Sequence, residues 1–283
     1  MMPPEHPAIT NIETWSGKGP GDENFPVGSI LIARQYRQPM HRYYAFARNA
    51  DDIADSSALS VQDKLDRLGI MEDVLLGRRP GGSPSATALR DSLARTGVTA
   101  QHATDLLLAF RQDAVKSRYA TIDELNKYCN YSAAPVGRYV LDLHGEDHEC
   151  YPPSDALCTS LQILNHIQDC AKDLAALDRC YLPQALLDQF GATVDDLRRP
   201  AATPALRRVF NNLLGRIERM NRAASQLPEV VKNPRLRLET AVIHGLSKRL
   251  ARRLVHDDPI ASRVKLRKSD AVFSVVKSLF HLI

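Results

Sequence analysis

Two stretches of this chain place oxygen-bearing side chains at helical spacing. The first is Arg48-Asn49-Ala50-Asp51-Asp52-Ile53-Ala54-Asp55. On a helix Asp51 and Asp55 project from one face, one turn apart, with Asp52 about 100° round. Ala47, Ala50, Ile53 and Ala54 surround them with apolar groups, and a buried cluster of negative charge is costly unless something positive sits in it. The second stretch is Leu161-Gln162-Ile163-Leu164-Asn165-His166-Ile167-Gln168-Asp169-Cys170-Ala171-Lys172-Asp173. Asn165, Asp169 and Asp173 recur every fourth residue, and each step turns only about 40°, so they form one ridge. Oxygen-only ligands point to magnesium or manganese rather than zinc, with water and substrate phosphates completing the shell. Two facing acidic helices would hold a diphosphate between them through metal ions. Taken singly, each block has a duller explanation: Arg48 as an i,i+4 partner of Asp52, and the ridge as a solvated face. Together they outweigh it.

The elements that must carry these residues read as helices throughout. The 283 residues can bury a large core, and 44% hydrophobic with 25% charged residues is ordinary for a globular chain. A net charge of +4 is too weak and dispersed to suggest nucleic acid. Five cysteines without a CxxC spacing read as reduced thiols of a cytosolic protein. The N-terminus shows no basic-then-apolar signal pattern, and no run of eighteen apolar residues occurs. Residues 1–22 carry a Pro/Gly-rich flexible segment. Helices are expected over 27–37 and 39–56, the second opened by Pro39, then from the Ser60 cap to about Leu76. After a break at 79–84, others cover 85–96, about 99–116, 121–143, 154–177, and two long segments opened by Thr203-Pro204 and by Pro228 or Pro234. Thr121 and Glu124 form a capping box, and Pro135 kinks the helix it starts. The sum is one all-α domain.

Three further groups could do chemistry. Tyr128 and Tyr131 are more often core aromatics than catalytic groups, and His166, about 100° from Asn165 on its helix, suits a structural or supporting role better than metal binding. The basic residues Arg249, Arg252, Arg253, Arg263, Lys265, Arg267 and Lys268 read as a solvated face, with an anionic membrane as the minority reading.

In combination and in order, the two acidic blocks, Tyr128-Cys129-Asn130-Tyr131-Ser132-Ala133-Ala134-Pro135-Val136-Gly137 and Arg179-Cys180-Tyr181-Leu182-Pro183 resemble the signature blocks of the squalene/phytoene synthase family. The likeness spans about residues 23–255. Glu23-Asn24-Phe25-Pro26-Val27 and the block from Leu164 to Asp173 are most similar to the bacterial members of hopanoid biosynthesis that form hydroxysqualene. The resemblance implies a single-domain helical prenyl-synthase fold over 23–268 with a central cavity. It implies that Asp51, Asp52, Asp55, Asn165, Asp169 and Asp173 hold Mg2+, that Arg48, Arg179 and Tyr181 bind diphosphate oxygens, and that Tyr128 lies near the reacting carbons. Asp51, Asp55, Asp169 and Asp173 are thereby catalytic as well. The implied reaction turns presqualene diphosphate into hydroxysqualene, a lyase step without NADPH. Asn24-Phe25 departs from the Ser-Phe pair of other members.

Rival readings stay open here. Within the same fold are condensation of two prenyl diphosphates to presqualene or prephytoene diphosphate, and NADPH-dependent squalene synthesis. Outside it are a magnesium-dependent nucleotide pyrophosphohydrolase and a non-enzymatic respiratory-complex assembly factor, which would have lost its aspartates. Tyr128, Asn165 or His166 could hold the capturing water. Residues 269–283 form an apolar helix too short to span a bilayer, either docked on the domain or in peripheral contact with the inner membrane face of a cytoplasmic protein.

Overall fold

The computed structural model describes residues 11–13, 32–267, 269, 270, 274 and 278. Eleven α-helices occupy residues 34–256: α1 (Arg34–Asp55), α2 (Val61–Leu75), α3 (Pro84–Thr96), α4 (Gln101–Val115), α5 (Ile122–Ser132), α6 (Ala134–Leu143), α7 (Tyr151–Leu177), α8 (Gln184–Phe190), α9 (Pro204–Ala224), α10 (Leu227–Val230) and α11 (Pro234–His256). Short 3-10 turns cover His148–Cys150 and Val194–Arg198. The strand-like pairing among the described residues is one isolated bridge between Arg118 and Cys180. The Glu23-to-Val27 segment, the start of the helix expected at 27–37, and most of 269–283 lie outside the described residues.

Several starts follow the local chemistry. The Ser60 hydroxyl accepts from Asp63 N at 3.2 Å while the Asp63 carboxylate accepts from Ser60 N at 3.3 Å, a reciprocal cap for α2. At α5 only half of the expected box forms. Thr121 Oγ1 accepts from Glu124 N at 3.2 Å, but the Glu124 carboxylate takes the amide of Ala120 and the ammonium of Lys116 instead of returning to Thr121. The two prolines also act differently from expectation. Pro39 opens nothing; it lies inside α1, where the Gln35 carbonyl that it leaves without a donor belongs to an exposed residue that water can reach. Pro135 divides rather than kinks its helix: α5 stops at Ser132, and Ala133 leaves helical geometry at φ −125° and ψ −49° before α6 starts. α7 begins at Tyr151 rather than Ser154, with prolines in its first turn.

Two apolar cores flank the acidic helices. In one, Tyr43, Phe46, Ala50 and Ile53 of α1 pack with Leu68, Leu89, Leu106 and Tyr139. In the other, Ile163, Leu164, Ile167 and Leu174 of α7 pack with Tyr128, Leu187, Phe210 and Ile217. Each fully buried large side chain contributes about 1.5–3 kcal/mol, so both helices are held by their apolar faces while their acids stay turned to the space between the cores. α6 and α7 approach closely at Gly137, where an added Cβ would lie 2.4 Å from Ser154 Oγ and 2.7 Å from Cys158 Sγ. Only glycine fits there.

Candidate active site

On α1, Arg48 reaches along its own helix to Asp51 at 3.0 Å and Asp52 at 2.5 Å. The duller reading of Arg48 is therefore structurally real, and it leaves Asp52 buried and paired. Asp55 is paired from elsewhere: Arg179 Nη1 donates to its Oδ1 at 2.8 Å. Burial and then the charge of Asp55 push the Asp51 carboxyl up to about 8.

On α7 the ridge faces the same space. Burial, then Asp169 and more weakly Asp55, push Asp173 up to about 7, so the two acidic blocks sense one another. Asp169 is met by Arg263, whose Nε lies 2.8 Å from Oδ1 and whose Nη2 donates to Oδ2 at 2.9 Å. The Oδ1 contact is one of charge without hydrogen-bond alignment. Gln168, next to Asp169, donates to the Val264 carbonyl, which fixes the strand of chain that carries Arg263 across α7.

Arg179 owes its position to the turn before it. Asp178 ends α7 in the left-handed region at φ 49°, and Arg118 clamps it at 2.7 Å through its carboxylate. Beyond it, Cys180 N donates to Ser117 O at 2.9 Å and Gln184 N to Tyr119 O at 2.8 Å. This two-stranded clasp turns Arg179 inward, where Nη2 donates to the Asp113 carbonyl at 2.9 Å.

Asp113 of α4 is the centre of the arrangement, and the motif spacing gave no sign of it. Tyr128 Oη donates to its Oδ2 at 2.7 Å and Tyr181 Oη to its Oδ1 at 3.0 Å. Burial, against the favourable Arg179 charge, pushes its carboxyl up to about 6. An acid whose helix neighbours Ala109, Phe110 and Ala114 are apolar was the available signal. The same burial raises the Tyr128 and Tyr181 hydroxyls well above the usual phenol range, so both act as neutral donors. His166 stacks on Tyr181 with ring centres 3.7 Å apart, and burial holds its imidazole down at about 3. It supports the tyrosines, as its position beside Asn165 suggested.

One opening meets this cluster, and a second meets the α7 ridge at Asn165. A polar recess of about 520 Å³ is lined by Asp55, Lys64, Asp113, Lys116 and Arg179 among others. An apolar cavity of about 350 Å³ lies between α5, α6, α7 and α11, with Val136, Val140, Leu157, Leu161 and Ile243 in its wall. Of the three side chains that could hold the capturing water, Asn165 lines this cavity; Tyr128 and His166 are not in its wall and pack in the tyrosine cluster.

The basic stretch near the C-terminus is less solvated than its composition suggests. Arg249 and Arg253 both pair with buried Asp270, at 2.9 and 2.7 Å, and Arg263 pairs with Asp169. Asp270, Ser274 and Ser278 are buried at four-residue intervals, and a Cβ on Gly245 of α11 would lie 3.3 Å from Ser274 Oγ. These described positions are docked on the domain. No helix among the described residues is long and apolar enough to cross a membrane.

The acidic residues suit a hard cation. Their donors are all oxygen, and crowding with Asp55 and Asp169 raises Asp51 and Asp173, so further positive charge beside them would be favoured. Among the described residues no three His, Cys, Asp or Glu side chains converge enough to enclose an ion by themselves, so water and substrate oxygens would complete the shell, as is usual for magnesium.

The squalene/phytoene synthase profile matches residues 19–270. A hydroxysqualene synthase from Rhodopseudomonas palustris is 44% identical over 93% of this chain and 89% of its own length. One from Zymomonas mobilis is 41% identical over 91% and 87%. Among solved structures, squalene synthase HpnC from Alicyclobacillus acidocaldarius superposes with a TM-score of 0.72 at 34% identity, covering 82% of this chain and 88% of the other. A dehydrosqualene synthase in complex with ligand superposes at 0.79 with 21% identity over 92% of both chains, a likeness of fold.

Proposed function

The chain belongs to the squalene/phytoene synthase family, and from that premise we propose that it converts presqualene diphosphate to hydroxysqualene, releasing diphosphate and capturing the carbocation with water. Members of this family are prenyl-synthase enzymes that act on prenyl diphosphates and generally depend on a divalent metal. The observation that carries the reading is that Asn165 belongs both to the α7 acid ridge and to the wall of the apolar cavity. A diphosphate at the acidic end would thus leave its hydrocarbon in the cavity.

In this reading Asp51, Asp52 and Asp55 from α1 and Asn165, Asp169 and Asp173 from α7 hold Mg2+. Bound there, the ion would supply charge neutralisation to the leaving diphosphate. Arg48, Arg179 and Tyr181 orient and neutralise the phosphate oxygens, and Asp113 keeps the tyrosine hydroxyls fixed beside Arg179. The carbon–oxygen bond breaks with its electron pair leaving on the diphosphate. The apolar wall shields the rearranging cation from bulk solvent, and Tyr128 takes the place near the reacting carbons that the family resemblance implies. Water then adds its oxygen to the cation and loses a proton. No reductant enters, so Mg2+ is the cofactor and NADPH is not.

The test is the reaction of presqualene diphosphate with magnesium in oxygen-18 water, with and without NADPH. Hydroxysqualene carrying solvent oxygen in both cases is the expected result; a product that needs NADPH, or one lacking the label, returns the chain to squalene synthesis. Residues 23–268 form the catalytic unit in this proposal, with 1–22 and 269–283 outside it. Peripheral membrane contact through 269–283 would ease transfer of the hydrocarbon product. Liposome sedimentation of the chain with and without those residues checks it, and equal, negligible binding removes it.

A further inference from the structure

Arg263 sits on an acid that a metal ion would need. Its Nε lies 2.8 Å from Asp169 Oδ1 and its Nη2 donates to Oδ2 at 2.9 Å, so one guanidinium meets both carboxylate oxygens. Oδ1 is sealed from solvent, and Asp169 as a whole is 7% exposed. A magnesium ion bonds a carboxylate oxygen at about 2.0–2.1 Å, and a guanidinium on the same carboxylate would face it as a like charge at short range. The ion and Arg263 therefore contend for Asp169.

Arg263 is built to give way. Among the described residues Asp169 is its only hydrogen-bond or ion-pair partner. With 38% of its side chain exposed, its charge has water to turn into once it lets go. The chain on either side of the contact is pinned. Val264 is buried and its carbonyl accepts from Gln168, while the Lys265 carbonyl accepts from Arg253 Nη1 at 3.0 Å. Ile260 and Leu266 pack against the α7 core. A side-chain rotation is thus enough to free Asp169, and the backbone stays in place. Arg48 on α1 is the contrary case, 14% exposed and held by two acids of its own helix.

We propose that Arg263 is a resident counter-ion that the metal must displace from Asp169, and that it thereby sets how readily the α7 ridge takes an ion. This rests on the reading of Asp169 as a metal ligand in the previous subsection and adds a residue that works against loading rather than for it. The exchange keeps the buried Asp169 charge compensated at every stage, by guanidinium before the ion arrives and by the ion afterwards. Its consequence is a weaker hold on metal alone.

The experiment measures binding of Mn2+ to the full chain without substrate, from the electron paramagnetic resonance signal of the free ion, so that turnover does not enter the reading. Arg263→Ala and Arg263→Met remove the guanidinium and should bind Mn2+ about fivefold more tightly than wild type. In an Asp169→Asn background Arg263→Ala should change nothing, because the contested carboxylate is gone. Arg252→Ala removes an equal charge from an exposed position on α11, where Nε donates to the Lys248 carbonyl, and should also leave affinity unchanged. Unchanged or weaker binding in both Arg263 variants, or an equal gain in the Asp169→Asn background or in Arg252→Ala, overturns the proposal. Should Arg263→Ala melt early, Arg263→Met decides. If neither wild type nor any variant binds Mn2+, and added inorganic diphosphate does not restore binding, the metal reading itself fails, and the two failures are thereby told apart.

Discussion

On α1 the cation balancing Asp51 and Asp52 is Arg48, three and four residues earlier on the same helix; on α7 the cation meeting Asp169 is Arg263, 94 residues further along the chain. Arg48 is largely covered, with 14% of its side chain exposed, whereas Arg263 keeps 38%. The first block therefore carries its own counter-charge as part of helix geometry, and the second borrows one from a surface segment. Arg179 stands between them, bonded to Asp55 and Asp113 and 7% exposed. Each helix nevertheless keeps one carboxylate, Asp51 and Asp173, held above the usual aspartate range by burial and by a neighbouring carboxylate, in Asp51 despite Arg48.

The sharpest way to test this contrast is to remove the shared arginine. Arg179→Ala leaves Asp113 buried without its cation and should lower unfolding free energy by about 3–5 kcal/mol, read by urea denaturation. A loss under about 1 kcal/mol would mean that Arg179 is no more integral than a surface pair. Neutralising one ligand on each helix asks whether the halves work as one. Asp51→Asn and Asp169→Asn should each cost roughly 3 kcal/mol of transition-state stabilisation, about a hundredfold in turnover. Near-normal rates in both would remove the metal assignment, and a large loss in only one would show that the blocks act separately. Arg263→Ala should be mild, about 1 kcal/mol in stability, because Arg263 keeps 38% of its side chain exposed and water can take its place beside the buried Asp169; a cost matching that of Arg179→Ala would erase the difference between the helices.

The smallest effect concerns pH. Asp51 and Asp173 hold protons in the folded protein up to about 8 and about 7, while unfolded aspartates release theirs near 4. The folded state therefore binds more protons, and its stability falls as pH rises. Below about 6.5 the buried His166 and the half-buried His144 and His244, whose values are lowered by desolvation, act in the opposite direction. The decline should thus show between about pH 6.5 and 8.5, as a Tm lower by a few degrees, about 2–5 °C. A flat Tm over that interval would show that the two carboxylates have enough positive charge without a metal.

Much of this protein was legible in the sequence because it depends on repeats of three to four residues. Helical periodicity gave the all-α class, Ser60 the start of α2, and the four-residue spacing of Asn165, Asp169 and Asp173 their common ridge. Backbone hydrogen bonds between near neighbours fix such features, so the local sequence suffices. The effect of Pro135 was visible only as a disturbance, since whether a helix kinks or divides depends on what packs against the break. Asp113 and Arg263 were decided by tertiary structure alone. Each acts on partners brought near by packing: Asp113 on a tyrosine 68 residues away, Arg263 on an aspartate 94 away. A charge or hydroxyl gains its meaning from what replaces its water on folding, and that replacement comes from segments that no local pattern joins.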